Sequence, residues 1–151
     1  MKLTNFTDYS LRVLIYLAEK PTRRATIAEI ATVFRISENH LVKVVHFLGR
    51  HGWIETMRGR GGGLLLTRPV EEISVGRVIR DTEGEVAATE CREAAGQCVL
   101  SGACRLRAAL DDAVKAFYAV LDRWTLADIA ANRQLLGVVL AGPFDRAPRT
   151  S

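Results

Sequence analysis

The sequence predicts a mainly α-helical protein with a small β-hairpin wing, that is, a winged helix-turn-helix followed by a long dimerisation helix. Three observations carry this reading. Two short helical patterns with capping signals meet at a tight turn, Arg35-Ile36. A strand, a glycine-rich turn and a returning strand follow at once, over residues 53–67. A wide apolar stripe at helical spacing then runs from 104 to about 123. Apolar recurrence near every 3.6 residues marks a helix, and short β-rich runs bounded by glycine mark a hairpin.

The first helix spans residues 6–19, where Phe6, Tyr9, Val13, Tyr16 and Leu17 share a face with Leu14 beside it. Thr7 or Asp8 is expected to cap it, and Lys20-Pro21 to end it. Thr26-Ile-Ala-Glu29 is a capping box. It opens a second helix from Ile27 to Phe34, with Ile27, Ile30, Ala31 and Phe34 on one side. Ser37 caps a third helix, Glu38 to about Arg50, whose core face is Leu41, Val44, Val45 and Leu48; Gly52 closes it. Two such helices fit either a helix-turn-helix or an ordinary helical hairpin. The next segment separates the two. Residues 53–58 read as a strand, 59–63 as a turn and 64–67 as its return, and a hairpin placed there is a wing. Its tip offers Arg58 and Arg60 among glycines that permit close backbone approach. Arginines so placed reach phosphate or a narrow minor groove. On the third helix the exposed early positions are Ser37, Glu38, Asn39, His40 and Lys43, residue types that contact base edges and phosphates. His46, Arg50 and His51 lie later, and the three histidines lack metal-ligand spacing. No GxGxxG or Walker pattern supports a nucleotide loop.

Ser74 is expected to cap a helix over 75–81 that buries Val75, Val78 and Ile79. The acidic stretch Thr82-Glu-Gly-Glu leads into a cysteine-bearing loop. The long helix presents Leu106, Leu110, Ala113, Val114, Phe117, Tyr118 and Leu121. That stripe is wider than the first domain can cover, which predicts a second copy of the chain; packing on residues 6–19 is the alternative. Thr125-Leu-Ala-Asp128 is a further capping box. Residues 134–140 are apolar, and 142–151 read as a loose tail. The expected division is 1–82 for the winged helix-turn-helix, 83–105 for the cysteine loop, 106–140 for the dimerisation helices and 141–151 for the tail.

Charge is uneven along the 151 residues. Residues 1–80 carry 13 Lys/Arg against 7 Asp/Glu, and residues 81–151 carry 8 against 10. A basic first part suits a polyanionic partner, double-stranded DNA. No apolar run approaches the roughly 18–20 residues of a membrane span, and the N-terminus has no apolar signal core, so a cytoplasmic protein is expected. No acid–base pair, nucleophile triad or cofactor loop supports an enzyme.

All three cysteines, Cys91, Cys98 and Cys104, fall within fourteen residues. Buried structural cysteines would be scattered through apolar elements. A disulfide would leave one thiol over. Structural zinc usually takes four ligands at short spacing; here six residues separate the first pair and five the second. The wider spacing suits an iron–sulfur cluster held by three thiolates and a ligand from elsewhere. Zinc, or thiols that sense oxidation, remain alternatives.

Asn5-Phe-Thr-Asp8-Tyr-Ser-Leu-Arg-Val-Leu, Ser37-Glu-Asn-His-Leu-Val-Lys-Val, the wing Arg58-Gly-Arg-Gly-Gly-Gly-Leu-Leu-Leu and the loop ending Cys104-Arg-Leu together resemble the Rrf2 family of winged-helix regulators. The likeness covers about residues 1–140 and is strongest to its nitric-oxide-sensing repressors. It implies a homodimer that binds a DNA operator and responds to nitric oxide. It implies an iron–sulfur cluster, 4Fe-4S before 2Fe-2S, on Cys91, Cys98 and Cys104, with Asp8 of the partner subunit as the fourth ligand. Cluster-regulating relatives place a histidine three residues after the last cysteine. Here that residue is Arg107, which cannot ligate a metal. An iron-status-responsive regulator of the same family is the alternative.

Overall fold

The computed structural model describes residues 2–84, 105–132, Gly137 and Leu140. The chain runs α1 (Asn5–Glu19), α2 (Ile27–Phe34), α3 (Glu38–Arg50), β1 (Ile54–Met57), β2 (Gly63–Leu66), a 3-10 turn (Val70–Glu72), α4 (Val75–Glu83), α5 (Arg105–Leu121) and α6 (Leu126–Ile129). This is the predicted winged helix-turn-helix followed by a long helix. The three cysteines, the loop that bears them and the tail lie outside the described residues.

Local chemistry sets most boundaries. Thr26 and Glu29 form the expected capping box, and Arg35 turns the chain in the left-handed region at φ 54°. The Ser37 hydroxyl accepts from the His40 amide, and Gly52 at φ 70° lets the chain leave α3. Ser74 caps α4, and Thr125 with Asp128 boxes α6. One cap differs from expectation. Thr4, not Thr7 or Asp8, caps α1, accepting from the Thr7 amide at 3.2 Å. Thr7 is fully buried and turns its hydroxyl to Glu83 instead, while Asp8 pairs with Arg12. Residue α4 also ends two positions later than expected and α5 two earlier.

The main core joins α1, α2, α3, the hairpin and the 3-10 turn around Val13, Leu14, Leu17, Ile30, Leu41, Val44, Leu48, Ile54 and Ile73. α3 contributes the predicted four, Leu41, Val44, Val45 and Leu48. β1 and β2 pair antiparallel with Ile54 opposite Leu66 and Met57 opposite Gly63. Ala25 adds a bridge to Leu64, which ties the approach to α2 onto the wing. Trp53 is buried beneath the hairpin, its indole N–H donating to Asp81 at 2.9 Å while Arg68 and Arg77 lie over the ring. An unpaired indole N–H at that depth would cost about 1–3 kcal/mol, so Asp81 fixes α4 against the wing's base.

The chain after α5 returns to this core. The Leu126 amide donates to Ile73 and the Val75 amide to Trp124, and Leu126, Ala130 and Leu140 are buried with the first domain's residues. A smaller cluster holds α5 on α4: Val75, Ile79 and Tyr118, flanked by Leu3, Leu11, Val114, Phe117 and Leu121. α5 thus rests chiefly on α4, with α1 only at its edge. Arg80 reinforces the join, lying over the Tyr118 ring and donating from both terminal guanidinium nitrogens to the two Asp122 carboxylate oxygens at 2.6 and 2.7 Å. That hydrogen-bonded pairing holds the Asp122 carboxyl below its usual range and raises Arg80. The pair is exposed, so its net contribution stays within about 1 kcal/mol. At the start of the α5 stripe Leu106 stays open to solvent at 64%, and Ala113 is exposed as well; Val120, off the stripe, is exposed at 45%.

Candidate nucleic-acid interface

The interface is built on α3 because that helix buries one face and leaves the other free. With Leu41, Val44, Val45 and Leu48 inward, the helical repeat points Asn39, Lys43, His46 and Arg50 directly outward, one or two turns apart in a row. All four are exposed. Asn39 can give and accept two hydrogen bonds at once, as an adenine edge requires; Lys43 and Arg50 suit phosphate or guanine. His46 and Arg50 belong to this row as fully as the residues singled out from sequence. Their place was legible from spacing alone, by stepping seven residues, two helical turns, on from Asn39 to His46 and from Lys43 to Arg50.

The two flanks of the row differ. On one side lies α1: the Tyr9 and His40 rings are 6.2 Å apart, and Phe47 meets Phe6 edge-on at 5.2 Å while stacking on His51 at 3.9 Å. His40 therefore stands at the seam between α1 and α3, exposed but partnered. On the other side lies the wing, separated from α3 by a shallow groove of about 420 Å³ lined by Val45, His46, Gly49, Arg50, Ile54, Glu55 and Thr56. Ser37 and Glu38 occupy the N-terminal tip, with the Ser37 hydroxyl engaged as the cap. All of Ser37, Glu38, Asn39, His40 and Lys43 are exposed, as are Arg58 and Arg60 at the wing. The structure brings the recognition-helix set together on one surface and the two arginines onto the adjacent hairpin turn.

That turn needs its glycines. A Cβ at Gly62 would come within 2.9 Å of the Gly59 carbonyl oxygen, and Gly63 sits at φ 146° with the Ala25 carbonyl 2.8 Å from where its Cβ would be. Glycine at these positions lets the turn close compactly, with both arginines exposed on it. At the wing's base, Arg24 approaches Glu55 at 3.6 Å.

Asp8, the carboxylate singled out for metal binding, lies in the first turns of α1, about half exposed and 2.9 Å from Arg12. A surface i,i+4 pair contributes about 0.3–0.5 kcal/mol. The carboxylate is thus free to exchange its partner at little cost, and its oxygens are reachable from outside. One further feature bears on the cysteines. Glu83, the last residue of α4, accepts from the Thr4 amide and hydroxyl at 2.8 and 3.0 Å and from the Thr7 hydroxyl. Partial burial pushes the Glu83 carboxyl up, but these bonds outweigh it and hold it below its ordinary value. The segment that leads to Cys91 therefore departs from a point anchored to the first turn of α1. Among the described residues no group of three or more His, Cys, Asp or Glu could hold a metal, and no helix is long and apolar enough to cross a membrane.

Residues 3–132 match the sequence profile of the Rrf2 family, described as an iron-dependent transcriptional regulator. The chain is 48% identical over 136 residues to the HTH-type transcriptional regulator NsrR of Bacillus subtilis, covering 89% of this chain and 93% of that protein. The structure of CymR, the global cysteine regulator of B. subtilis, superposes with a TM-score of 0.67 at 29% identity, over 87% of this chain and 97% of that one. IscR of T. potens superposes with a TM-score of 0.71 at 23% identity, over 97% and 93%, a likeness of fold.

Proposed function

The chain belongs to the Rrf2 family of transcriptional regulators, and on that premise we propose that it is a homodimeric, cytoplasmic repressor that holds an iron–sulfur cluster and releases its DNA operator in response to nitric oxide. Family membership makes it a DNA-binding regulator and not an enzyme. The observation that carries the proposal is the outward row of α3 set beside a glycine-braced arginine turn, a surface shaped for the major groove and its flanking phosphates. The sensing half rests on donor chemistry. Three thiols lie within fourteen residues, and Asp8 offers an accessible carboxylate of low commitment to Arg12.

In this reading Cys91, Cys98 and Cys104 are the thiolate ligands and Asp8 of the partner subunit is the fourth. When bound, a 4Fe-4S cluster, or a 2Fe-2S one, supplies an iron whose oxygen ligand leaves it more open to a small molecule than an all-thiolate site. Asp8 stands on α1, and α1 packs on α3 through Phe6–Phe47 and Tyr9–His40. A ligand held across two subunits would tie α1 of one to the cysteine loop of the other. Freeing Asp8 then relaxes the separation of the two recognition helices, and half-site spacing on DNA is demanding. A coupling of about 1–3 kcal/mol, usual for allosteric systems, changes affinity about 5–150-fold.

The test is the visible absorption of anaerobically purified protein during titration with nitric oxide, with operator affinity followed in parallel. An iron–sulfur band that bleaches as affinity falls supports the proposal. The family's iron-dependent description favours one other reading, a regulator of iron status. A cluster indifferent to nitric oxide but lost on iron limitation selects that reading. A colourless, zinc-bearing protein that resists cluster reconstitution removes the sensor and leaves the DNA-binding fold.

A further inference from the structure

Val42 is the one large apolar side chain of α3 that the fold leaves out in solvent, at 51% exposure. Its neighbours along the outer surface are polar or charged: Glu38, Asn39, Lys43 and His46. It lies one helical turn before Val45 and two before Gly49, both of which line the groove beside the wing. Val42 therefore sits on the wing-side shoulder of the outward row, at the level of Asn39 and Lys43. Nothing in the free protein rewards a valine there. A β-branched residue is a poorer helix former than Lys, Glu or Ala, and a half-exposed one recovers little by burial.

A ligand that does reward it follows from the position. A helix lying in the major groove meets base edges with its outward row, and the only apolar group those edges present is the 5-methyl of thymine. We infer that Val42 reads a thymine methyl, adjacent to the base met by Asn39, and so sets sequence preference at one position of each half-site. The inference rests on the DNA-binding reading above. Asn39 and Lys43 supply hydrogen bonds and charge, and Val42 adds a contact that discriminates thymine from cytosine without either. The size of the effect follows from burial of one methyl group against another, about a three- to fivefold change in affinity.

The experiment begins with selection of sites from a randomised duplex library by the full-length chain purified anaerobically. Each thymine of the best site is then replaced by deoxyuridine, which removes only the methyl, and dissociation constants are compared at one salt concentration for the wild type, Val42→Ala and Val42→Thr. The expected result is one thymine per half-site whose methyl is worth about three- to fivefold to the wild type and less than about twofold to Val42→Ala. Val42→Thr, which keeps one methyl, falls between. Equal responses of wild type and Val42→Ala at every thymine overturn the inference while leaving DNA binding intact. A library that yields no enriched site overturns the DNA-binding reading and this inference with it. Val42→Ala raises helix propensity at an exposed site, so loss of fold does not enter; unchanged helicity by circular dichroism verifies that.

Discussion

Replacing Glu83 by Gln probes the tether between α4 and the first turn of α1. A single carboxylate oxygen accepts three bonds, from the Thr4 amide, the Thr4 hydroxyl and the Thr7 hydroxyl. They are not of equal weight. Thr4 is exposed, so water competes for its two donors and each bond contributes at most about 0.5 kcal/mol. Thr7 is fully buried, and a sheltered bond to a charged acceptor contributes about 1.5–3 kcal/mol. Thr7 also lies 2.9 Å from the Thr82 hydroxyl, a fallback that softens the loss. The tether as a whole is then worth about 2 kcal/mol, and Gln, which keeps a neutral acceptor, should lose about 1 kcal/mol. The pH dependence gives an independent check. The folded Glu83 is held below its ordinary value of 4.5, so the unfolded chain takes up this proton first. The stabilisation is therefore complete above about pH 4.5 and drains away as pH falls through the lowered folded value. The variant has no carboxylate there to protonate. Urea unfolding at fixed protein concentration should show the wild type more stable by about 1 kcal/mol at pH 7, with equal slopes, and the gap closing in acid. Equal stability at pH 7, or a gap that survives acidification, would refute the assignment.

Three further outcomes are expected. Arg60→Ala should weaken binding to all DNA sequences alike and reduce the slope of log affinity against log salt by about 0.9, the share of one phosphate; an unchanged slope removes Arg60 from the backbone contact. Cys98→Ala should abolish bound iron and sulfide by elemental analysis, and full content in that variant would sink the ligand assignment. Gly76→Ala should destabilise the fold by about 2 kcal/mol, because its Cβ would fall 2.9 Å from the Asp122 backbone nitrogen; an unaltered thermal midpoint would contradict the close α4–α5 packing.

Interactions that close within a turn or a hairpin were legible in the sequence. The boxes Thr26/Glu29 and Thr125/Asp128, the caps Ser37 and Ser74, the four inward residues of α3 and the glycine turn all depend on neighbours a few residues away, so residue type and spacing suffice to find them. The three thiols lie outside the described residues, and their spacing is a signal of the sequence alone. What spacing cannot carry is the choice between equivalent local partners. Thr4 and Thr7 can each cap a helix; Thr7 is withdrawn from that role because Glu83, 76 residues away, takes its hydroxyl. The return of Leu126 to Ile73, and with it the sharing of one core by residues before and after α5, is likewise a long-range contact. So is the asymmetry of α3. The sequence by itself determined which residues of that helix point outward. Only the tertiary structure decided that α1 covers one shoulder while the wing faces the other only from Val45 onward, which leaves Val42 exposed, because flank packing is set by whole-helix burial and not by any local pattern.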